Sequence, residues 1–179
     1  MKIVDALKRI SQQEAAGVSI VTVHDLSVLF EERGETLSST VKRLVKAGLL
    51  LKVANGLYML ANAKKHEFLL YDIARYLRPG EVNYLSAESV LCNLSIISQQ
   101  MLDRITVMTT GRSGTFKTPF GTIEFTHTKR DKLTLLKNTF RPDGCPIRFA
   151  DKHIAVRDLK RIGRNTNMID WDEFNECDE

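Results

Sequence analysis

The stretch "LSSTVKRLVKAGLLLKVANGLYML", residues 37–60, decides how the first third of the chain is read. Leu37, Val41, Leu44 and Val45 recur at helical spacing and predict one buried face. Stepping about 100° per residue, Ser39, Lys42, Arg43 and Lys46 fall on the opposite side. Gly48 stops the helix. Two apolar runs, residues 49–53 and 57–60, then flank Asn55-Gly56. Both turn residues tolerate positive φ, so the pattern predicts a β-hairpin.

The residues before this stretch supply the rest of a small unit. Residues 1–14 read as a helix, with Ile3, Leu7 and Ile10 on one face and Lys2, Lys8 and Arg9 largely off it. Gly17 breaks it, and Ser19-Ile20-Val21 is strand-like. Thr22 can cap a second helix, with Asp25 three residues on, near a capping-box arrangement. Val23, Leu26, Leu29 and Phe30 form its buried stripe, and Gly34 is expected to end it. The third helix follows a tight turn, capped by Thr36 or Ser38. Helix, short strand, helix, turn, helix, hairpin is the order of a winged helix-turn-helix. It is expected over residues 1–62, with the strand at 19–21 pairing with the wing.

A unit of that kind offers DNA one helix and one hairpin. The major groove admits a single helix, and only the face turned away from the core can touch it. Arg43 is the candidate base contact, because its fork matches guanine O6 and N7. Lys42 and Lys46 are expected on phosphates, and Ser39 and Thr40 on a phosphate or base edge. Lys52 and Asn55 belong to the wing, where the small tip permits close approach. Thr22 and His24 start the second helix and are expected to offer backbone N–H groups to phosphate. The rival expectation is a protein-interaction module that never meets DNA, since fold is not function. The outward stripe, read as three bases and no acid, favours DNA.

Residues 61–67 read as a polar linker, and a second unit follows. Leu69, Ile73, Tyr76 and Leu77 are spaced for a helix that Arg78-Pro79-Gly80 ends. Ser86 opens another, to Leu94, and capping accounts for its presence. Residues 105–109, 116–118, 123–127 and 147–149 read as strands, 154–161 as a helix, and 133–136 either way. The fold class is therefore α+β: the winged helix-turn-helix, then a small mixed α/β domain over residues 68–165, then an acidic tail over 166–179.

Lys and Arg number 26 against 22 Asp and Glu, a net charge of +4. The last ten residues, DWDEFNECDE, hold acids and no base, so the body of the chain is more basic than that figure. A basic body suits a polyanion. The tail is expected to be solvated, or to compete with DNA for the basic surface, with Trp171 and Phe174 as its anchor. No apolar run approaches the roughly 18 residues of a membrane span, and the start has no signal-peptide block, which predicts a cytoplasmic protein. Cys92, Cys145 and Cys177 are scattered without a CxxC pair, and the four histidines lack ligand spacing, so neither a disulfide framework nor a metal is expected. Gly111-Arg112-Ser113-Gly114 lacks the Gly-Lys-Ser/Thr ending of a phosphate loop. Neither GxSxG nor paired carboxylates appear. No enzyme, catalytic residue or cofactor is expected.

"NYLSAESVLCNLSIIS", residues 83–98, resembles a segment that follows the winged helix in antitoxins of the AbiEi family, from type IV toxin–antitoxin systems. "ITVMTTGRSGTFKTPFGTIEFTHTK", residues 105–129, is similar to that family's next segment: a strand ending in Thr, a Gly-Arg-Ser turn, then Phe-Lys-Thr and Gly-Thr before another strand. "VANGLYML" is similar to its wing. The resemblance covers most of residues 1–160, and the chain looks like a short branch. It implies a repressor that binds inverted repeats in double-stranded DNA upstream of its own operon. It also implies an antitoxin that opposes a co-encoded nucleotidyltransferase-like toxin, without necessarily forming a stable complex, in phage defence or plasmid maintenance. Arg112 and Lys117 are expected either to extend the DNA footprint or to be a solvated hairpin.

Overall fold

The structure is a computed structural model and describes residues 2–98 and 103–176. It is a mixed α and β chain that divides into two compact units, residues 1–67 and 68–179. Among the described residues no helix is long and apolar enough to cross a membrane.

The first unit runs α1 (Ile3–Ala15), β1 (Ile20–Thr22), α2 (Val23–Phe30), α3 (Gly34–Lys46), β2 (Leu50–Ala54) and β3 (Leu57–Leu60). The strands form an antiparallel sheet in the order β1-β3-β2. Ala6 and Ile10 of α1 are buried with Val21, Leu26, Phe30, Leu37, Val41, Leu44, Leu50 and Leu60 in one core. Ile3 and Leu7, expected to be buried, are exposed, so α1 seats itself on Ala6 and Ile10, one turn apart. Arg9 holds α1 to the end of α2, donating from Nη1 to the Leu29 carbonyl at 2.5 Å and pairing with Glu31 at 3.2 Å.

The turn between α2 and α3 differs from expectation at both ends. Helix α2 closes at Phe30, because Glu31 takes a left-handed conformation at φ 57 and its N–H reaches the Ser27 and Val28 carbonyls. Gly34 therefore does not end α2 but begins α3. The N-cap is Arg33, which makes no side-chain capping bond, so neither Thr36 nor Ser38 caps the helix. The start of α2 is as expected: Thr22 Oγ1 accepts the Asp25 N–H at 3.2 Å, and Asp25 Oδ2 accepts the Thr22 N–H at 2.7 Å.

The second unit contains α4 (Leu69–Leu77), β4 (Asn83–Leu85), α5 (Ala87–Asn93), β5 (Arg104–Thr109), β6 (Gly114–Thr118), β7 (Gly121–His127), α6 (Lys132–Lys137), β8 (Thr139–Phe140), β9 (Arg148–Ala150), α7 (Lys152–Ile162), a 3₁₀ turn (Thr166–Met168) and α8 (Trp171–Glu176). Its sheet has the order β6-β7-β5-β4-β9-β8. The pairs β5–β7 and β4–β9 are parallel and the others antiparallel. Val107, Met108, Ile123 and Phe125 are buried in the central strands. Residues 133–136, open in the sequence, are helical within α6, whose cap Asp131 accepts the Thr134 N–H at 2.9 Å.

The residues assigned to the tail join this unit as far as Glu176. Ile97 and Ile169 form a β-bridge. The Lys152 ammonium donates to the Phe174 carbonyl at 2.6 Å and lies 4.8 Å from that ring, and the Lys160 ammonium lies 4.9 Å from Trp171. The anchor residues thus dock on α7 through cation–π contacts, each worth roughly 0.5–1 kcal/mol at exposed sites.

Candidate nucleic-acid interface

Helix α3 is seated by Leu37, Thr40, Val41 and Leu44. That choice of inner face turns Ser39, Lys42, Arg43 and Lys46 to solvent, all exposed on the opposite side. Thr40 does not join them. It is only 2 % exposed, and its hydroxyl accepts from Arg43 Nη2 at 3.2 Å. At helical spacing Thr40 lies nearer Leu37 and Leu44 than Ser39. It supports Arg43 and, contrary to expectation, does not face outward. The early start of α3 adds a residue the sequence reading missed. Glu35 is exposed in the first turn, seven residues before Lys42 and so nearly in line with it. The outward face therefore carries an acid as well as its bases. Recognising Gly34 as a helix start was the only signal that would have found it.

The hairpin is short and tied down. Gly56 has φ 73, its carbonyl accepts the Val23 N–H at 3.0 Å, and the ladder shifts register between Lys52 and Ala54. The tip therefore lies against the start of α2. Asn55 and Lys52 are exposed there and on β2. Thr22 is half-buried, and both its hydroxyl and its N–H donate to Asp25 Oδ2 at 2.7 Å, so, contrary to expectation, the capping box leaves no Thr22 N–H for a phosphate. Between α3 and the hairpin runs a groove of about 460 Å³, lined by Val23, Leu37, Val41, Val45 and Tyr58 together with Lys42 and Lys52.

Arg112 and Lys117 lie in the second unit and are exposed. Arg112 follows β5, and its carbonyl accepts from Arg78 Nε at 3.1 Å. Lys117 projects from β6, an edge strand of the sheet. A lysine there also discourages pairing with another chain's edge. The Gly111–Gly114 turn is tied to the neighbouring strands: the Ser113 hydroxyl accepts the His127 N–H at 2.8 Å, the Thr109 hydroxyl accepts the Gly111 N–H at 3.1 Å, and the Gly111 carbonyl takes His127 Nδ1 at 2.8 Å.

The Tyr-Leu-Ser-Ala-Glu-Ser segment is buried from Tyr84 to Ser89 and forms the polar frame of the second unit. Ser86 occupies the N-cap position of α5 as expected, but its side chain makes no capping bond. Its hydroxyl donates instead to Asp158 Oδ2 at 2.7 Å, as does Tyr84 at 3.1 Å, while Arg130 pairs with Asp158 Oδ1 at 2.5 Å. Burial, then the Asp158 charge, pushes the Tyr84 phenol up to about 12. Arg164 ties Glu88 at 2.6 Å to Glu124 at 2.7 Å, and those hydrogen bonds raise its own pKa. Ser89 accepts the Thr106 N–H at 2.8 Å. The strand-to-helix corner places Ala87 at φ 50, a conformation that costs an L-residue roughly 1–2 kcal/mol. Its apex is a buried methyl group with no nucleophile. Among the described residues, His, Cys, Asp and Glu form no group placed to hold a metal.

No family model matches this chain, and no curated protein matches it. Among solved structures it is similar to the RV2827C protein from Mycobacterium tuberculosis, at 16 % identity and a TM-score of 0.48. The match covers 75 % of this chain and 47 % of that one, so the chain spans about half that protein's length.

Proposed function

We propose that the first unit is a winged helix-turn-helix and that the chain is a sequence-specific DNA-binding repressor, not an enzyme. The observation supporting this reading is the outward face of α3: Ser39, Lys42, Arg43 and Lys46 are exposed together, beside the exposed Lys52 and Asn55 of the hairpin. Arg43 reads a guanine after leaving Thr40. Lys42, Lys46 and Lys52 hold phosphates. Glu35 repels a phosphate placed at its end of the helix and accepts from a cytosine amino group placed there. The AbiEi resemblance extends the proposal: the chain represses its own operon and counteracts a nucleotidyltransferase-like toxin as its antitoxin.

Gel-shift with the protein's own upstream DNA, beside unrelated DNA of equal length, tests the reading. Arg43→Ala is expected to flatten the preference by roughly 1–3 kcal/mol, and Lys52→Ala to weaken all DNAs alike. Equal binding of both DNAs by the natural protein refutes it. The apolar groove beside α3 supports a second reading, a protein-interaction module that acts on a toxin or another protein, and that reading predicts no shift with either DNA.

A further inference from the structure

We propose that the second unit carries a cleft that binds a phosphorylated ligand of nucleotide size. The cleft encloses about 560 Å³, within the roughly 300–1,000 Å³ of small-molecule sites. Arg75 and Tyr76 line it from α4, Arg141 from the loop after β8, and Arg148 from β9. Elsewhere in this unit Arg104, Arg130 and Arg164 are matched to Glu124, Asp158 and Glu88. The cleft arginines are not. Among the described residues the Arg75 and Arg141 side chains make no hydrogen bond or ion pair, and both residues are exposed. Arg148 is oriented by neutral acceptors: Nε donates to Thr139 Oγ1 at 2.7 Å, and Nη2 donates to the Leu136 carbonyl at 3.1 Å and to the Thr139 carbonyl. None of these bonds uses Nη1.

Arg78 also borders the cleft, with its guanidinium 4.9 and 5.0 Å from the Phe116 and Phe125 rings; it adds field rather than a contact. It donates to the Leu77 carbonyl at 3.0 Å, covering one acceptor at the end of α4 that would oppose an anion. Among the described residues Glu81 is the only acid lining the cleft, and its carboxylate accepts from Thr110. Planar guanidiniums suit the paired oxygens of a phosphate, and the half-exposed Tyr76 ring beside them suits a planar base.

The shared chemistry is a phosphate attached to a base, available from a free nucleotide or from a nucleic-acid strand. Calorimetric titration of the full chain with ATP, and separately with a short single-stranded oligonucleotide, distinguishes the sources. Saturable ATP binding assigns the free nucleotide, and binding of the oligonucleotide alone assigns strand phosphates. In either case Arg75→Ala with Arg141→Ala is expected to weaken binding roughly tenfold or more. Lys129→Ala with Lys132→Ala removes the same charge away from the cleft and is expected to change it little. Lys42→Ala with Lys46→Ala is expected to leave ATP binding intact, so the cleft stands or falls apart from the DNA reading. No saturable binding of either probe, or equal losses in the cleft and control variants, overturns the proposal.

Discussion

Replacing Asp158 by Ala should cost the second unit about 4 kcal/mol. The carboxylate is fully buried and accepts from Tyr84, Ser86 and Arg130. Removing one partner of a buried ion pair costs roughly 3–5 kcal/mol. Arg130 retains 22 % side-chain exposure and recovers some hydration, which places that term near the lower end, about 3 kcal/mol. The Ser86 hydroxyl has no such relief and adds about 1 kcal/mol. The total is a large part of the roughly 5–15 kcal/mol a domain has. Urea unfolding of the full chain can be followed by the single tryptophan, Trp171, which packs against Lys160 of the helix that carries Asp158. With a slope near 2 kcal/mol/M, the midpoint should fall by about 2 M. Asp158→Asn keeps an acceptor without the charge and should fall between. A loss below about 1 kcal/mol for Asp158→Ala would refute the view that this network holds the unit together.

Gly121→Ala should be damaging, by roughly 1–3 kcal/mol in the same titration, because φ is 137 and a Cβ would stand 2.7 Å from the Asp103 carbonyl oxygen. An unchanged midpoint would show that this backbone yields. Tyr84→Phe should flatten the alkaline loss of stability. The folded phenol ionises at about 12 and the unfolded one at about 10, so stability is intact below pH ~10 and lost as pH rises toward ~12, by roughly 3 kcal/mol. Parallel curves for the two proteins between those pH values would discount the effect. For DNA, Lys42→Ala with Lys46→Ala should reduce the salt slope by about 1.8, at ~0.9 per lost phosphate contact. An unchanged slope would remove both lysines from the interface, and the same measurement on Arg112→Ala with Lys117→Ala decides whether the second unit adds contacts.

The first unit's elements were legible because each carries a local signal: the Thr22–Asp25 box, the periodic Leu37, Val41 and Leu44, and the Asn55-Gly56 turn. Four of the second unit's strands, β5, β6, β7 and β9, were visible one by one, but β4 and β8 were not, and neither was the strand order. The parallel pairing of β5 with β7 and of β4 with β9 depends on contacts far apart in sequence. The Asp158 network was invisible for the same reason, since Ser86 looks like a cap until a carboxylate 72 residues away claims its hydroxyl. The proposed interface shows how a small boundary error spreads. A start at Thr36 or Ser38 leaves Glu35 outside α3, and an inner face without Thr40 leaves that residue free to be counted outward. Starting the helix at Gly34 changes both: the outer line becomes Glu35, Ser39, Lys42 and Lys46, flanked by Arg43, and Thr40 becomes the group that holds Arg43. A line that ends in an acid is not a uniform cationic rod. On the proposed DNA reading, one end favours phosphate and the other rejects it, which gives the helix a preferred direction along the groove. That polarity comes from where the backbone begins to coil, which composition and charge counting do not record.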